Sequence, residues 1–345
     1  FVVQQQVFAG DEPLNAFKVT LFKDGYWTLA VRSIHSQADG AAYGAFLACW
    51  SQLYSGECPR IPVRFPRAVI RSLAQGQGYQ PSARFKILPA LNFDLAEAVT
   101  VRKASQGIAE VRLPISAFKA LHSLCRQRSG TKLSSSDLLH AMGWKAFAIS
   151  TKLLQQQYCT LYSIFDLRTT KDLSIPMDFR GNAVIERHVS LAVESLRFYD
   201  IDDLALFFRR HMKPLHREDV AADIAYLERE QALGHIDEEL GRYDHFTRGS
   251  VVDCLEGTGL YVNDMRYLNT QQIVFEQAPC WFETVITLGF NFLGFYQHPS
   301  GDIVVRYVGN KTTLNDFKNE LLSLLKDELL DESCLSALTD PWAVN

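Results

Sequence analysis

The stretch that most constrains the fold is a short turn between two segments of different periodicity. Apolar and polar side chains alternate over Tyr26–Ile34, which predicts a half-buried strand whose inward face ends at His35. From Ala41 to Tyr54 the apolar residues recur at helical spacing. The run from His35 to Asp39 and Gly40 is therefore predicted to be a strand-to-helix turn with an inward-pointing histidine.

His35 has the chemistry of a general base. An unperturbed imidazole has a pKa of about 6.5, so at neutral pH it can take a proton from a hydroxyl or an amine. Two roles are open for Asp39: it orients the imidazole ring, or it faces away and anchors the turn through a distant arginine. An isolated His-x-x-x-Asp motif is also typical of a core histidine beside a turn-forming Asp-Gly pair.

The charge balance excludes two classes of partner. Lys and Arg total 35 against 39 Asp and Glu, a formal net charge of −4 at pH 7. This balance provides no excess of positive charge that would attract a nucleic acid or an anionic membrane. No apolar run reaches the ~18 residues that cross a bilayer. The sequence therefore predicts neither a nucleic-acid partner nor a membrane partner.

The seven cysteines predict a cytoplasmic location. They are scattered, and none belongs to a Cys-x-x-Cys pair, as expected of reduced thiols. His211 and His216 would not share one helix face, and Pro214 lies between them. No metal site is predicted.

A proline-rich stretch divides the chain. Five prolines and two glycines follow Gly56 up to Pro89, which predicts a long irregular crossover. A chain of 345 residues is long enough for two domains. The predicted organisation is the remainder of an amino-terminal domain over 1–58, a linker over 59–90 and a second domain over 91–345.

Helices and strands are predicted on both sides of this linker. The turn Lys23-Asp24-Gly25 joins the first two strands. Ser116 is a predicted helix cap, and Ser134–Asp137 caps a longer helix that is apolar on more than one side. Amphipathic helices are predicted near 201–213 and 217–233, and Thr313 is the predicted cap of a last helix. Strands are predicted at 13–22, 26–35, 109–113, 158–167, 183–191, 258–263, 271–275, 281–295 and 302–308.

The order of these features resembles the BAHD acyltransferases, the CoA-dependent His-x-x-x-Asp acyltransferases. The resemblance extends over most of the chain in the family's order. It rests on the strand pair, His35-x-x-x-Asp39-Gly40, the helix with Trp50, the proline-rich crossover, the serine-rich cap before Ala141-x-x-Trp144, Phe165-Asp166-Leu167-Arg168 and Phe179-Arg180-Gly181-Asn182.

The resemblance implies an α+β fold built from two-layer α/β sandwiches. Two domains related to chloramphenicol acetyltransferase would each carry a mixed sheet flanked by helices, with a substrate tunnel between them. Family members usually have a longer segment before the histidine motif than the 34 residues here. The first domain is therefore expected to be incomplete in this chain, which is a fragment or is completed by a second chain. A segment near 264–298 is expected to join the first domain's sheet.

The resemblance also implies a reaction. His35 would deprotonate a hydroxyl or amine of a small-molecule acceptor, which then attacks the thioester carbonyl of an acyl-CoA. No covalent acyl-enzyme forms in this family. Acyl-CoA is thus an expected co-substrate, and no bound cofactor is expected.

The other site residues are assigned by the positions that they occupy in the family's motifs. The family's aspartate turns away from the tunnel and pairs with the arginine of an Asp-x-Arg motif, so Asp39, Asp166 and Arg168 are expected to be structural. Gly40 would let the turn lie close against substrate. Asn263, at a late strand end, is the candidate hydrogen-bond donor to the oxyanion. A turn-forming Asn-Asp pair is the alternative there.

The sequence departs from the family at two motifs. Ile273–Pro279 stands where the family has Asp-Phe-Gly-Trp-Gly, an element that is usually structural and remote from the histidine. Arg180 replaces the phenylalanine of the family's aromatic-Phe-Gly-Asn motif, so a new charge is expected near that loop.

The sequence is compatible with two other functions. One is a condensation-type or carrier-protein-dependent acyltransferase of the same superfamily. Ile34 weighs against it, because condensation domains usually have a second histidine directly before the catalytic one. The other is a catalytically silent relative that uses the fold to bind a ligand or a partner.

Overall fold

The computed structural model describes residues 10, 13–33, 38–59, 67–76, 78, 102–212, 216–233, 253, 257–270, 273–275, 278–279 and 291–328. The chain divides into two compact units. The first comprises Phe1–Ser82, Asp166–Val184 and Arg217–His245, and the second comprises Ala83–Phe165, Ile185–His216 and Phe246–Asn345. The first unit thus includes two stretches from the region predicted as the second domain. The boundaries at 58 and 90 stay a prediction.

The described strands and helices follow the predicted order closely. The helices over Arg67–Leu73 and Val193–Phe198 and the short strand over Ala278–Pro279 were not predicted. No described helix is long and apolar enough to cross a membrane. The strands are β1 (Asn15–Leu21), β2 (Trp27–Ser33), β3 (Gln106–Leu113), β4 (Tyr158–Asp166), β5 (Val184–Ala192), β6 (Gly259–Asp264), β7 (Val274–Phe275), β8 (Ala278–Pro279), β9 (Phe292–Gln297) and β10 (Ile303–Asn310). The helices are α1 (Gly40–Tyr54), α2 (Arg67–Leu73), α3 (Ile115–Ser129), α4 (Ser135–Ser150), α5 (Val193–Phe198), α6 (Ile201–Met212), α7 (Arg217–Ala232) and α8 (Leu314–Glu328).

In the first unit, β1 and β2 form the predicted antiparallel hairpin. Asn15 pairs with Ser33 at its open end, and Gly25 adopts a φ of 88° in the turn. The hairpin packs on α1, where the rings of Phe17 and Trp50 meet edge to face with centroids 5.3 Å apart. The strand and the helix predicted on either side of the histidine motif are therefore both confirmed.

The predicted irregular crossover contains a helix, so that prediction was wrong over residues 67–73. The heptapeptide of α2 has neither glycine nor proline, but prolines on both sides obscured it in the sequence. Tertiary contacts compensate for its short length, because α2 packs against α7 within the first unit. Arg71 and Glu228 form an exposed ion pair of 3.5 Å between the two helices.

The second unit is built on a mixed sheet of six strands in the order β3-β10-β9-β6-β4-β5. β10 runs antiparallel to both β3 and β9, whereas β6 runs parallel to both β9 and β4. Helices flank this sheet, which confirms the predicted α+β class.

The core of the second unit lies between one face of this sheet and the helices. Residues of α3, α4, α6 and α8 pack there against alternate residues of the strands. α4 is buried on all sides, as its all-round apolar sequence predicts, and Trp144 is 0% exposed. Gly143 lets α4 approach β9, because a Cβ at this position would clash with the side chain of Leu293.

The cap predicted for α4 is confirmed. Ser134 Oγ accepts a hydrogen bond of 3.2 Å from the Asp137 N–H, and Asp137 Oδ2 accepts one of 2.7 Å from the Ser134 N–H. This reciprocal capping box satisfies donors that the first helical turn would otherwise leave unpaired.

The cap predicted for α3 was wrong. Ser116 lies inside the helix, which begins at Ile115 after Pro114, and Pro114 supplies no side-chain hydrogen bond. The carboxylate of Asp302, in the turn before β10, accepts a 3.0 Å hydrogen bond from the Ile115 N–H instead. A distant residue thus supplies the cap that the local sequence lacks.

The described part of the segment 264–298 lies in the second unit. Within it, β9 pairs with β6 and β10 of the large sheet, whereas β7 and β8 pair with each other. Residues 280–290 of this segment, and most of the predicted strand over 281–295, lie outside the described residues.

Candidate functional site

Asp39 is the amino-terminal cap of α1. It has extended backbone angles, φ −81° and ψ 176°, and the helix begins at the next residue, Gly40. Asp39 Oδ1 accepts a hydrogen bond of 2.9 Å from the Ala42 N–H. This bond satisfies one of the free donors of the first helical turn, which is why an aspartate is favoured here.

The same carboxylate forms a buried ion pair with Arg168. Arg168 Nη2 donates to Asp39 Oδ2 at 2.8 Å and to Oδ1 at 3.1 Å, and both side chains are 2% exposed. The Ala183 N–H donates to Oδ2 at 2.8 Å. Together with the Ala42 bond, four contacts fill the roughly four acceptor positions that a carboxylate offers. No acceptor position is left to orient an imidazole, so the geometry is that of an anchor.

Arg168 is held at every nitrogen of its guanidinium. Nε donates to the Phe179 carbonyl at 3.0 Å, Nη1 to Asp166 Oδ1 at 2.8 Å, and Nη2 to the Gly181 carbonyl at 2.8 Å as well as to Asp39. Asp166 also accepts a bond of 2.9 Å from the Arg168 N–H and so caps the short 3-10 turn that follows β4. This buried charge is therefore paired, and each of its three nitrogens donates at least one hydrogen bond.

The loop from Phe179 to Ala183 wraps around this ion pair. Two of its carbonyls and one N–H bind Arg168 and Asp39. Gly181 is required by close packing, because a Cβ there would lie 2.9 Å from the ring of Phe179. The sequence could not predict these contacts, because they are made by backbone groups that nearly every residue type has.

The structure thus brings together four of the predicted site residues, Asp39, Gly40, Asp166 and Arg168, within the first unit. The ion pair between Asp39 and Arg168 that the resemblance implies is present. His35 lies outside the described residues, which stop at Ser33 and resume at Ala38. Its role as a base stays a prediction.

Asn263 belongs to the second unit, near the end of β6. It pairs in register with Gly294 of β9 and is half-buried. Among the residues that the structure describes, the Asn263 side chain makes no hydrogen bond, so its amide can donate to another group. The oxyanion role assigned to it stays a prediction.

The turn-forming function at this position belongs to Asp264. Arg266 Nε donates to Asp264 Oδ1 at 2.8 Å and Nη2 donates to Oδ2 at 2.6 Å, at the start of a short 3-10 turn. Burial alone would raise the pKa of the Asp264 carboxyl. The hydrogen bonds and charge of Arg266 outweigh that effect and hold the pKa below its usual value. Asn263 itself stays within the strand.

His140 is a satisfied core histidine. Nδ1 lies 2.7 Å from the Ser136 carbonyl and must donate to it, which leaves Nε2 to accept from Ser163 Oγ at 2.9 Å. Its ring stacks on Phe208 with centroids 4.4 Å apart. It is 2% exposed, and both of its ring nitrogens are engaged by protein groups.

Two of the described cysteines, Cys125 and Cys159, offer no activated thiol. Burial raises the pKa of both Cys125 and Cys159 to about 12. Cys254 and Cys280 lie outside the described residues. Within the described part of the chain, no group of three or more His, Cys, Asp or Glu residues could hold a metal ion.

The sequence matches a family model and curated proteins. A model of the Transferase family matches residues 1–252. Hydroxycinnamoyltransferase from Narcissus pseudonarcissus is 26% identical over 172 residues, which cover 50% of this chain and 39% of that protein. The aligned region thus spans less than half of the curated relative's length.

Solved structures agree in fold. The structure of TRI101 from F. graminearum complexed with coenzyme A and T-2 mycotoxin matches with a TM-score of 0.68 at 14% identity, and covers 94% of this chain and 69% of that one. Vinorine synthase matches with a TM-score of 0.62 at 17% identity, and covers 91% of this chain and 66% of that one. At such identities the likeness concerns the fold.

Proposed function

Because this chain belongs to the Transferase family, the BAHD acyltransferases with a chloramphenicol acetyltransferase-like fold, we propose that it transfers an acyl group from an acyl-CoA thioester to a hydroxyl or amine of a small molecule. The coenzyme A bound in the TRI101 structure supports the choice of donor. We also propose a cytoplasmic location, as the scattered cysteines predict.

The observation that carries the proposal is the anchoring of Asp39. Its carboxylate is engaged by Arg168, Ala183 and the amino terminus of α1. Because the acceptor positions of Asp39 are filled, we infer that it anchors the start of α1 and does not share a proton with the histidine. A rigid turn is what a general base needs, since proton transfer depends on its distance to the acceptor group.

His35 is the base in this reaction. Its free nitrogen takes the proton of the acceptor hydroxyl or amine as the acceptor's oxygen or nitrogen attacks the thioester carbonyl. The resulting tetrahedral intermediate collapses with cleavage of the carbon–sulfur bond. The imidazolium returns the proton to the leaving CoA thiolate, so the acyl product and free CoA are released and the base is restored.

Asn263 is the proposed donor to the oxyanion of that intermediate. Its amide has no hydrogen bond within the described part of the chain, which supports this role. A donor of this kind lowers the barrier by roughly 3 to 4 kcal/mol, since it gains strength as the carbonyl oxygen becomes charged.

The test is acyl transfer by the wild-type protein and its His35→Ala variant, using a panel of acyl-CoAs with hydroxyl and amine acceptors. Release of the CoA thiol measures the rate. We expect the substitution to lower kcat at least about 100-fold, because general-base catalysis contributes about that much. His211→Ala removes an exposed histidine on α6 and serves as the matched control.

Two results would contradict the proposal at different points. Equal rates for the wild type and His35→Ala would exclude His35 as the base. No transfer by the wild type with any donor, together with CoA binding in a calorimetric titration, would instead indicate a catalytically silent relative.

A further inference from the structure

The loop that wraps the Asp39–Arg168 pair carries a second buried arginine. Arg180 is 8% exposed and belongs to the first unit. It is the residue that replaces a phenylalanine of the family motif. A guanidinium in place of an apolar ring brings a permanent positive charge into this buried loop.

Among the described residues, only one nitrogen of Arg180 donates hydrogen bonds. Nη1 donates to the Met177 carbonyl at 3.0 Å and, weakly, to the Phe179 carbonyl at 3.5 Å. Nε is buried and has no hydrogen-bond partner. Nη2 likewise makes no hydrogen bond within the described ranges. The edge of the guanidinium formed by Nε and Nη2 therefore has no hydrogen-bond acceptor among the described residues.

The nearby carboxylates do not pair with this arginine. Asp39 and Asp166 both bind Arg168. Asp178 lies two residues before Arg180 and attracts it through space, but among the described residues the two side chains form no ion pair. Burial, followed by the charge of Arg168, lowers the pKa of the Arg180 guanidinium. A buried cation without a counter-charge is costly, so an anion that binds here gains from relieving that cost.

We propose that the Nε and Nη2 edge of Arg180 binds a carboxylate or phosphate group of a substrate. This edge presents two parallel N–H donors at the spacing of two anionic oxygens, which is the arrangement in which arginine binds such groups bidentately. The Phe179 carbonyl accepts from both Arg168 and Arg180, so the bound anion would lie in the loop that anchors Asp39. That the anion belongs to a substrate rests on the proposed function.

The first experiment measures anion binding without any reaction. The melting temperatures of the wild type and Arg180→Gln are followed as acetate or inorganic phosphate is added at constant ionic strength. We expect the anions to raise the melting temperature of the wild type but not of the variant. Arg210→Gln removes an exposed arginine of α6 and should respond like the wild type. Equal responses of the wild type and Arg180→Gln, or no response of the wild type, would overturn the proposal.

The second experiment identifies the source of the anion. S-acetyl-pantetheine lacks the phosphates of acetyl-CoA, and the methyl ester of a hydroxy acid lacks the carboxylate of the free acid. If Arg180 binds a CoA phosphate, the wild type should prefer acetyl-CoA to S-acetyl-pantetheine. In Arg180→Gln, the ratio of the two kcat/KM values should fall by about ten- to a hundredfold. If it binds the acceptor, the same loss should appear in the preference for the free acid. Unchanged preference in both comparisons would exclude a substrate anion.

Two further measurements keep the outcomes separate. Arg180→Lys retains the charge but lacks the paired donors, so we expect it to fold and to show a weakened anion response. Circular dichroism establishes that the variants are folded. If the wild type transfers no acyl group, the proposed function fails, while the melting experiment still decides whether Arg180 binds an anion.

Discussion

At the scale of single residues, Asp39 combines two tasks that are usually separate. It caps α1 through Ala42, and it neutralises the buried charge of Arg168. Helix capping would be served equally well by serine or asparagine. The second task requires a negative charge, because Arg168 is 2% exposed at its side chain and cannot be hydrated instead. The choice of aspartate at this position therefore follows from its distant partner.

Asp39→Asn separates these two tasks. The amide oxygen can still cap α1, but Arg168 is left as a buried, incompletely paired charge, which typically costs about 3 to 5 kcal/mol. We expect a loss of this size in the free energy of unfolding, measured by urea denaturation. Asp166→Asn is the matched control, since Asp166 is 29% exposed and its arginine partner would keep Asp39. A loss as small as that of the control would contradict the anchoring role.

At the scale of elements, the sequence predicted the strands, turns and helix caps that are formed by residues close to one another in the chain. The alternation along β2, the hairpin turn at Gly25 and the capping box at Ser134 each involve residues close in sequence. The cap of α3 could not be predicted, because Asp302 and Ile115 are separated by 187 positions. Backbone contacts such as the Ala183 N–H to Asp39 were equally inaccessible. The pairing of Arg168 with Asp39 came only from the family resemblance, since no local pattern joins residues 129 apart.

The distant cap of α3 should make stability depend on pH. Burial would raise the pKa of Asp302, but the Ile115 N–H, Ser300 and Arg112 outweigh it and hold the pKa below its ordinary value. A depressed carboxyl pKa stabilises the fold above the unfolded-state pKa, about 3.9, and this contribution is lost as pH falls through the lower folded pKa.

Asp302→Ala tests this cap. We expect it to cost about 1 kcal/mol in the free energy of unfolding at pH 6, with the difference from wild type shrinking towards pH 3. Denaturant titrations at both pH values measure it. Glu57→Gln removes an exposed carboxylate and should show a small difference at both. A deficit for Asp302→Ala that stays constant across this range would argue against an ionised cap.

At the scale of the whole molecule, the burial of cysteines reports on the folded state of the second unit. Cys58 is exposed, whereas Cys125 and Cys159 are buried in that unit. Only thiolates react readily with alkylating reagents, and burial raises the pKa of both buried thiols to about 12.

Brief treatment with iodoacetamide at pH 8 should therefore modify Cys58 and spare Cys125 and Cys159 in the native protein. Peptide mass mapping measures the extent at each position. In denaturant all three should react at similar rates. Rapid modification of Cys125 or Cys159 under native conditions would contradict the packing of the second unit.

The first unit is assembled from three separated stretches of the chain, and this has a consequence for its synthesis. The ribosome delivers Asp39 long before Arg168, which follows 129 residues later. At about 5 to 20 residues per second, that delay is roughly 6 to 26 s. Throughout it the turn after His35 has no counter-ion, and its loop of carbonyls does not yet exist. The Asp39 carboxylate must therefore stay hydrated until the segment that carries Arg168 has emerged.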